Sequence, residues 1–359
     1  MRVRVTFAPA WRLTVVAAAA VLAAVPLPGP FVERVYARGV YPRLQPALTA
    51  ATNLVPFAVL DVLVAGVAAW LVWRLARAWR RGARLRAAAA LAWDAAAGAA
   101  CVYLAFALLW GLNYQRTAAA ERFDVQPDRI TAARLARLGE IAAARVNALH
   151  DPGRDAARLE VDALAHTLQP PFQRALHALR YGWRPAPGRP KASLVARLFP
   201  LAGVDGLMNP LALEVIVNPE ALPFERPFLL AHEWAHLAGQ AGESEASFVA
   251  WLVCAGGTRE MQYSGWLALL LHVRRSLGPE GERLLASLDV GPRADLDAIR
   301  RRLARAEPRI TRATWRVYDR YLKANRVESG VANYDEVTLL VLGSPLAAGL
   351  LEAEASPAR

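Results

Sequence analysis

His232, Glu233 and His236 stand in the order H-E-x-x-H. On a helix, positions i and i+4 share a face, so both imidazoles can reach one metal ion. Glu233 then lies beside that ion, where it can take a proton from a bound water. The chemistry such a set performs is zinc-assisted hydrolysis. The pattern is short and recurs by chance, and its competing reading is a helix with two surface histidines and a solvated glutamate. Two features weigh against that reading. The chain has only six histidines, so a pair at ligand spacing is not expected from composition. The flanking Phe228, Leu229, Leu230, Leu237 and Ala238 are apolar, which predicts a buried helix in which imidazoles need partners.

Catalytic zinc takes three protein ligands and leaves one position for water. Gly239 and Gly242 should end the motif helix, and a second helix is expected from near Ser244. Glu243 and Glu245 lie at its start, where the helix dipole favours a carboxylate. Glu245 is the expected third ligand, because the small Ala246 and Ser247 after it would let the two helices approach closely. Glu243 is assigned to capping the helix N-terminus. Hydrolysis also needs a donor for the developing oxyanion. Tyr263, Tyr334 and His272 are the candidates, each set against a plain packing or surface role.

The elements that must position these residues read as mostly helical. Apolar residues recur at helical spacing over residues 130–150, 156–181, 263–277, 295–305, 311–324 and 334–352. Residues 193–195 and 213–217 are the only strand-like runs. The second precedes the motif helix, where an edge strand would line a cleft and pair with an extended peptide. Before the motif come three apolar stretches, at about residues 12–28, 54–73 and 90–112, of which the last two are long enough to span a bilayer. The first has a basic start like a signal peptide, but the prolines that follow make a poor cleavage site, so it is expected to be retained. Asp61 and Asp94 fall near the ends of the second and third stretches, which places them at the membrane interface.

The net charge of +12 resembles a nucleic-acid signal until it is divided along the chain. Residues 1–112 hold twelve arginines against three acids, whereas residues 113–359 are nearly balanced. The basicity therefore reports membrane topology, and no nucleic-acid partner is expected. Six arginines between residues 74 and 86 put that loop and the N-terminus in the cytoplasm, leaving residues 113–359 outside. The two cysteines, Cys101 and Cys254, read as small buried hydrophobes rather than as a disulfide framework.

Several segments recur together in a familiar order. They are residues 56–61 (PFAVLD), 110–116 (WGLNYQR), 232–236 (HEWAH), 245–248 (EASF), 263–265 (YSG), 321–323 (YLK) and 330–334 (GVANY). In this order and spacing the chain resembles domain of unknown function family 3810, bacterial membrane proteins with N-terminal spans and an H-E-x-x-H domain. The resemblance covers nearly the whole chain. It implies a membrane-anchored, zinc-dependent, gluzincin-like peptidase domain. The family places an E-A-N-F-like run after the histidines, and here Ser247 stands in place of the asparagine.

The expectation is thus a mainly α protein. Residues 1–112 would be an anchor of three transmembrane helices. Residues 113–359 would be a mostly helical, zincin-like domain with a small β-sheet on the outer side of the cytoplasmic membrane. Its partners would be the lipid bilayer and a peptide or protein substrate in the periplasm or envelope. Zn²⁺ would be held by His232, His236 and Glu245, with Glu233, Tyr263 and Tyr334 catalytic. The alternative is a zinc-binding sensor or structural envelope protein that hydrolyses nothing.

Overall fold

The computed structural model describes residues 10–80, 84–151, 161–327 and 336–355. Its architecture is mainly helical with one small three-stranded sheet. Ala10–Ala24 (α1) has 15 residues. At 1.5 Å per residue that is about 22 Å, short of the ~30 Å hydrocarbon layer. Gly29–Asn53 (α2) follows at an angle of 115° to it. Val59–Arg80 (α3) and Arg84–Leu109 (α4) contain the two stretches long and apolar enough to cross a membrane, Val59–Arg77 and Ala89–Leu109. Where three spans were expected, two therefore stand on length alone, and α1 makes a third only together with the bent helix after it.

α1 packs along α4. Arg12 and Arg74 both pair with Asp94, which joins the start of α1 to the same end of the helix group as the C-terminal part of α3. Cys101 is exposed on α4, not buried as expected, whereas Cys254 is buried.

The segment of residues 29–53 has no long apolar run in its sequence. It folds as a helix because its buried face is polar. Tyr41, Gln45, Thr49 and Thr52 fall three or four residues apart and are all buried. Tyr41 Oη donates to Leu237 O at 2.8 Å, Gln45 Nε2 to Ala186 O at 2.9 Å and Thr49 Oγ1 to Leu213 O at 2.8 Å. The packed domain thus draws on α2 as well as on the chain beyond residue 112.

That domain is built on Ala132–Leu149 (α5), Val161–Ala178 (α6), Arg226–Leu237 (α7), Glu243–Ala255 (α8) and Arg259–Leu277 (α9). Trp234, Trp251, Trp266, Phe172 and Phe248 fill the space between them and are almost wholly removed from water. Pro279–Ala286 (α10), Val290–Leu303 (α11), Pro308–Ala324 (α12), Val337–Gly343 (α13) and Pro345–Ala355 (α14) wrap this centre.

The sheet comprises Pro190–Lys191 (β1), Gly206–Asn209 (β2) and Glu214–Val217 (β3), in the order β1-β3-β2. β1 runs parallel to β3, and β2 pairs with it antiparallel through Leu207↔Ile216 and Met208↔Val215. Two expectations are corrected here. β3 is the central strand and β2 the edge, because the chain between residues 206 and 213 folds back as a hairpin. Residues 193–195 form no strand; Val195–Leu198 is a single tight 3-10 turn. Asp61 holds that turn, accepting from Ser193 Oγ at 2.7 Å and from the Leu194 amide at 2.8 Å.

Glu214 joins sheet to membrane helix. Its carboxylate is wholly buried and accepts from the Val59 amide at 2.9 Å and the Leu60 amide at 2.8 Å, the first donors of α3. Asn209 Nδ2 at 2.9 Å and Lys191 Nζ at 3.0 Å complete its partners. Breaking a buried ion pair from one side leaves the other charge uncompensated, at a cost of about 3–5 kcal/mol. Glu214→Gln should therefore lower the thermal midpoint of the detergent-solubilised protein strongly. Glu140→Gln, which breaks the exposed pair with Arg137, should leave the midpoint nearly unchanged. Equal midpoints for the two variants would remove the anchoring role given to Glu214.

Candidate metal centre

The motif helix α7 ends at Leu237, and Gly239 follows in the left-handed region at φ +86°. A side chain there would meet Asn113, since an added Cβ would lie 2.9 Å from its Oδ1. The chain then turns through Gly242 into α8, as the glycines predicted. Two buried arginines pin this turn. Arg116 binds Glu33 from two nitrogens and reaches Gly239 O at 3.0 Å. Arg122 contacts Gln240 Oε1 at 2.5 Å and Glu245 Oε2 at 2.6 Å.

Across the turn three ligand-type atoms meet. His232 Nε2 lies 3.1 Å from His236 Nε2 and 3.1 Å from Glu243 Oε2, and His236 Nε2 lies 3.6 Å from the same oxygen. A tetrahedral zinc with bonds of about 2.0–2.2 Å sets its ligands about 3.3–3.6 Å apart. Two of the three separations fall about 0.2 Å short of that range and the third lies at its upper end, so a small outward shift of the His232 ring would admit such an ion; of the described residues these alone form a cluster of this kind.

The third member is Glu243, not Glu245 as expected. Residues 243 and 247 are one helical turn apart and share a face of α8. Both look at α7: Glu243 at the imidazole nitrogens, Ser247 Oγ at His232 Nδ1, 3.2 Å away. Glu245 lies about 200° further round the helix and is held by Arg122. The signal was present as an E-x-x-x-S spacing, with the serine in the family's asparagine position supporting a histidine.

The groups behind the cluster fix its orientation. His236 Nδ1 donates to Gln240 O at 2.7 Å, which leaves Nε2 turned to the cluster. Trp110 Nε1 donates to His236 O at 2.9 Å, so the residue that follows α4 supports the motif helix directly. The hydroxyl of Tyr318 on α12 donates to Glu243 Oε1, a contact the sequence gave no sign of. Glu233 is buried with its Oε1 against Gly206 on the edge strand, where an added Cβ would stand 2.4 Å away. Only glycine at 206 leaves room for this carboxylate.

The other expected residues lie elsewhere. Tyr263 is fully buried, its hydroxyl donates to Asp295 at 2.5 Å beside His150, and it is not among the residues that cluster around His232 and His236. His272 is buried next to Arg275, 3.1 Å from Nδ1. Tyr334 falls outside the described residues.

Burial disfavours every charge in this cluster, and the charges answer one another. Burial opposes a proton on His236, but the facing Glu243 and Glu233 carboxylates prevail and raise it to about 9. Burial likewise works against the Glu243 anion, yet the two imidazoles hold it well below the usual carboxylate range. Glu233 moves upward, because burial outweighs the help of the histidines and the Met208 amide.

The class that the fold and the site define is a helical, membrane-associated protein with a buried two-histidine, one-carboxylate centre. The chain belongs to the family described as protein of unknown function (DUF3810), which matches residues 36–342. No curated protein and no solved structure matches it. The matched region begins inside α2 and ends inside α13, in keeping with a packed domain that includes α2.

Two outcomes follow. Glu243→Gln should abolish stoichiometric metal in the purified chain, whereas Glu245→Gln should retain it; elemental analysis of both variants decides, and the reverse pattern would restore Glu245. Below about pH 9 a metal must displace the proton on His236, so affinity should rise by up to about tenfold per pH unit towards that value and then level off. Chelator competition reads this slope, and a flat profile between neutrality and pH 9 contradicts it.

Proposed function

We propose that the chain is a membrane-anchored zinc metallopeptidase with a zincin-like domain. The observation that carries this reading is the convergence of His232, His236 and Glu243 with the Glu233 carboxylate beside them. The donor set, two imidazoles and one carboxylate, is that of several zinc hydrolases and suits zinc. A bound zinc supplies Lewis acidity and a water acidic enough to be deprotonated near neutral pH.

The protein's own residues do the remaining work. Glu233, lodged against Gly206, takes the water proton and delivers it to the leaving amine, a role to which its raised basicity is suited. The edge strand β2 lies beside it and offers backbone groups to an extended peptide. Tyr318 and Ser247 keep Glu243 and His232 in place while substrate enters. The arginine-rich connection of α3 and α4 is assigned to the cytoplasm, which puts the centre on the outer side, in the periplasm or envelope.

The test uses the full-length chain in detergent, elemental analysis, and a mixed peptide library read by mass spectrometry. The wild type should carry one zinc and cleave. Glu233→Gln should keep the zinc and lose about 10²–10⁴-fold in rate. Zinc without cleavage in the wild type would favour the sensor reading, and a chain without stoichiometric zinc would end the peptidase reading.

A further inference from the structure

α12 has two faces with different occupants. Its inner face carries Tyr318 to Glu243 and Tyr321 to Phe106 and Tyr114, each ring 5.9 Å away. Phe106 belongs to the membrane-crossing stretch of α4. The opposite face carries Arg309, Arg312, Arg316 and Arg320. At 100° per residue these four fall within an arc of about 80°. All four are exposed, and none has an acidic partner among the described residues. Ile310 and Val317 lie together along one side of the stripe and are 42% and 67% exposed.

The start of α12 is tied to the short segment of residues 195–202, and the chain just past its other end is tied to α1. At its start, the Glu307 amide and Thr311 Oγ1 donate to Leu201 O at 3.0 and 3.3 Å. Leu201 belongs to the segment that begins at the turn held by Asp61, in the first turn of α3. Along that segment Leu194, Leu198 and Leu201 project into solvent at helical spacing. Beyond the other end, Arg326 Nη2 donates to Ala23 O in the last turn of α1 at 3.0 Å. α12 therefore runs beside the ends of α4 and α1 that adjoin the packed domain, its arginine stripe turned outward from α4.

We propose that α12 is seated on anionic phospholipid at the membrane surface, its arginine stripe binding headgroup phosphates and its flanking apolar residues entering the interface. Three observations support this occupant. The helix lies where the membrane helices emerge. Four guanidiniums without carboxylate partners among the described residues complement a surface of phosphates, which arginine binds with paired hydrogen bonds. An arginine stripe bordered by exposed aliphatic side chains is also the pattern of helices that lie in a bilayer interface. Through Tyr318 the same helix touches the metal centre, so lipid contact and the geometry of Glu243 are linked. The proposal rests on membrane association and requires neither bound metal nor hydrolysis.

Amide hydrogen exchange over residues 308–324 tests it, with the full-length chain in nanodiscs of phosphatidylcholine alone or mixed with phosphatidylglycerol. Exchange should slow by about tenfold or more in the anionic discs, and high salt should reverse the effect. Arg312→Gln with Arg316→Gln should lose the slowing while α7 to α9 exchange as before, and the corresponding double lysine variant should keep most of it. Identical exchange in the two lipids overturns the proposal, as does slowing that survives the double glutamine change. An acidic protein as the true partner would give the first of those results.

Discussion

The structure depends on keeping four ionisable groups together out of water. His232, Glu233, His236 and Glu243 sit within one helix-turn-helix, and three of them are more than nine-tenths buried. Removing an unpaired charge from water costs several kcal/mol, so such a group persists only where every member has partners. Each has them: Gln240 O and the Trp110 ring for His236, Ser247 for His232, Tyr318 for Glu243, and the Met208 amide for Glu233. The two facing Nε2 atoms and the depressed Glu243 describe a place that favours a cation, whether protons or a metal. The rigid frame around it, with three large tryptophans and the pinned Gly239 turn, keeps those partners from drifting apart.

That frame is partly made by the membrane helices. Trp110 follows the apolar stretch of α4 and holds the carbonyl of His236; Tyr41 of α2 holds that of the next residue, Leu237. These are the last carbonyls of α7, which a helix leaves without internal partners. Indole and phenol donors supplied from the anchor thus satisfy the C-terminal end of the motif helix. At the sheet, Glu214 does the reciprocal service for the first amides of α3. Anchor and domain each complete the other's helix ends, so neither is a self-sufficient unit.

How much of this was legible depended on whether the information was local. The motif helix, the glycine break and the apolar stretches of α3 and α4 are written in spacing and composition, and they appear where expected. The identity of the third cluster residue was local too, but it required reading α8 by its turn: Glu243 and Ser247 share a face, and the small residues after Glu245 misled. The polar buried face of α2 defeats hydrophobic periodicity, since Tyr41, Gln45 and Thr49 are buried by hydrogen bonds to distant carbonyls. Which strand lies at the edge is a matter of pairing, which no single strand records. Tyr318 and Trp110 were beyond reach because they are 75 and 126 residues from the groups they hold.

The same distance explains why the site's relation to the bilayer is easy to misjudge. The motif lies about 120 residues after the last apolar stretch, which suggests a domain carried well clear of the membrane. Yet the intervening chain forms α5, α6 and the sheet, and then returns, so that α7 comes to rest on Trp110. Separation along the chain measures loop length, not height above a surface. With α7 supported by the end of α4, and α12 laid between that end and Glu243, the cluster stands close to the end of a helix long and apolar enough to cross a membrane. On the peptidase reading proposed above, a substrate entering along β2 would therefore approach near those helix ends, a constraint set by hydrogen bonds at two helix ends rather than by the cluster's own chemistry.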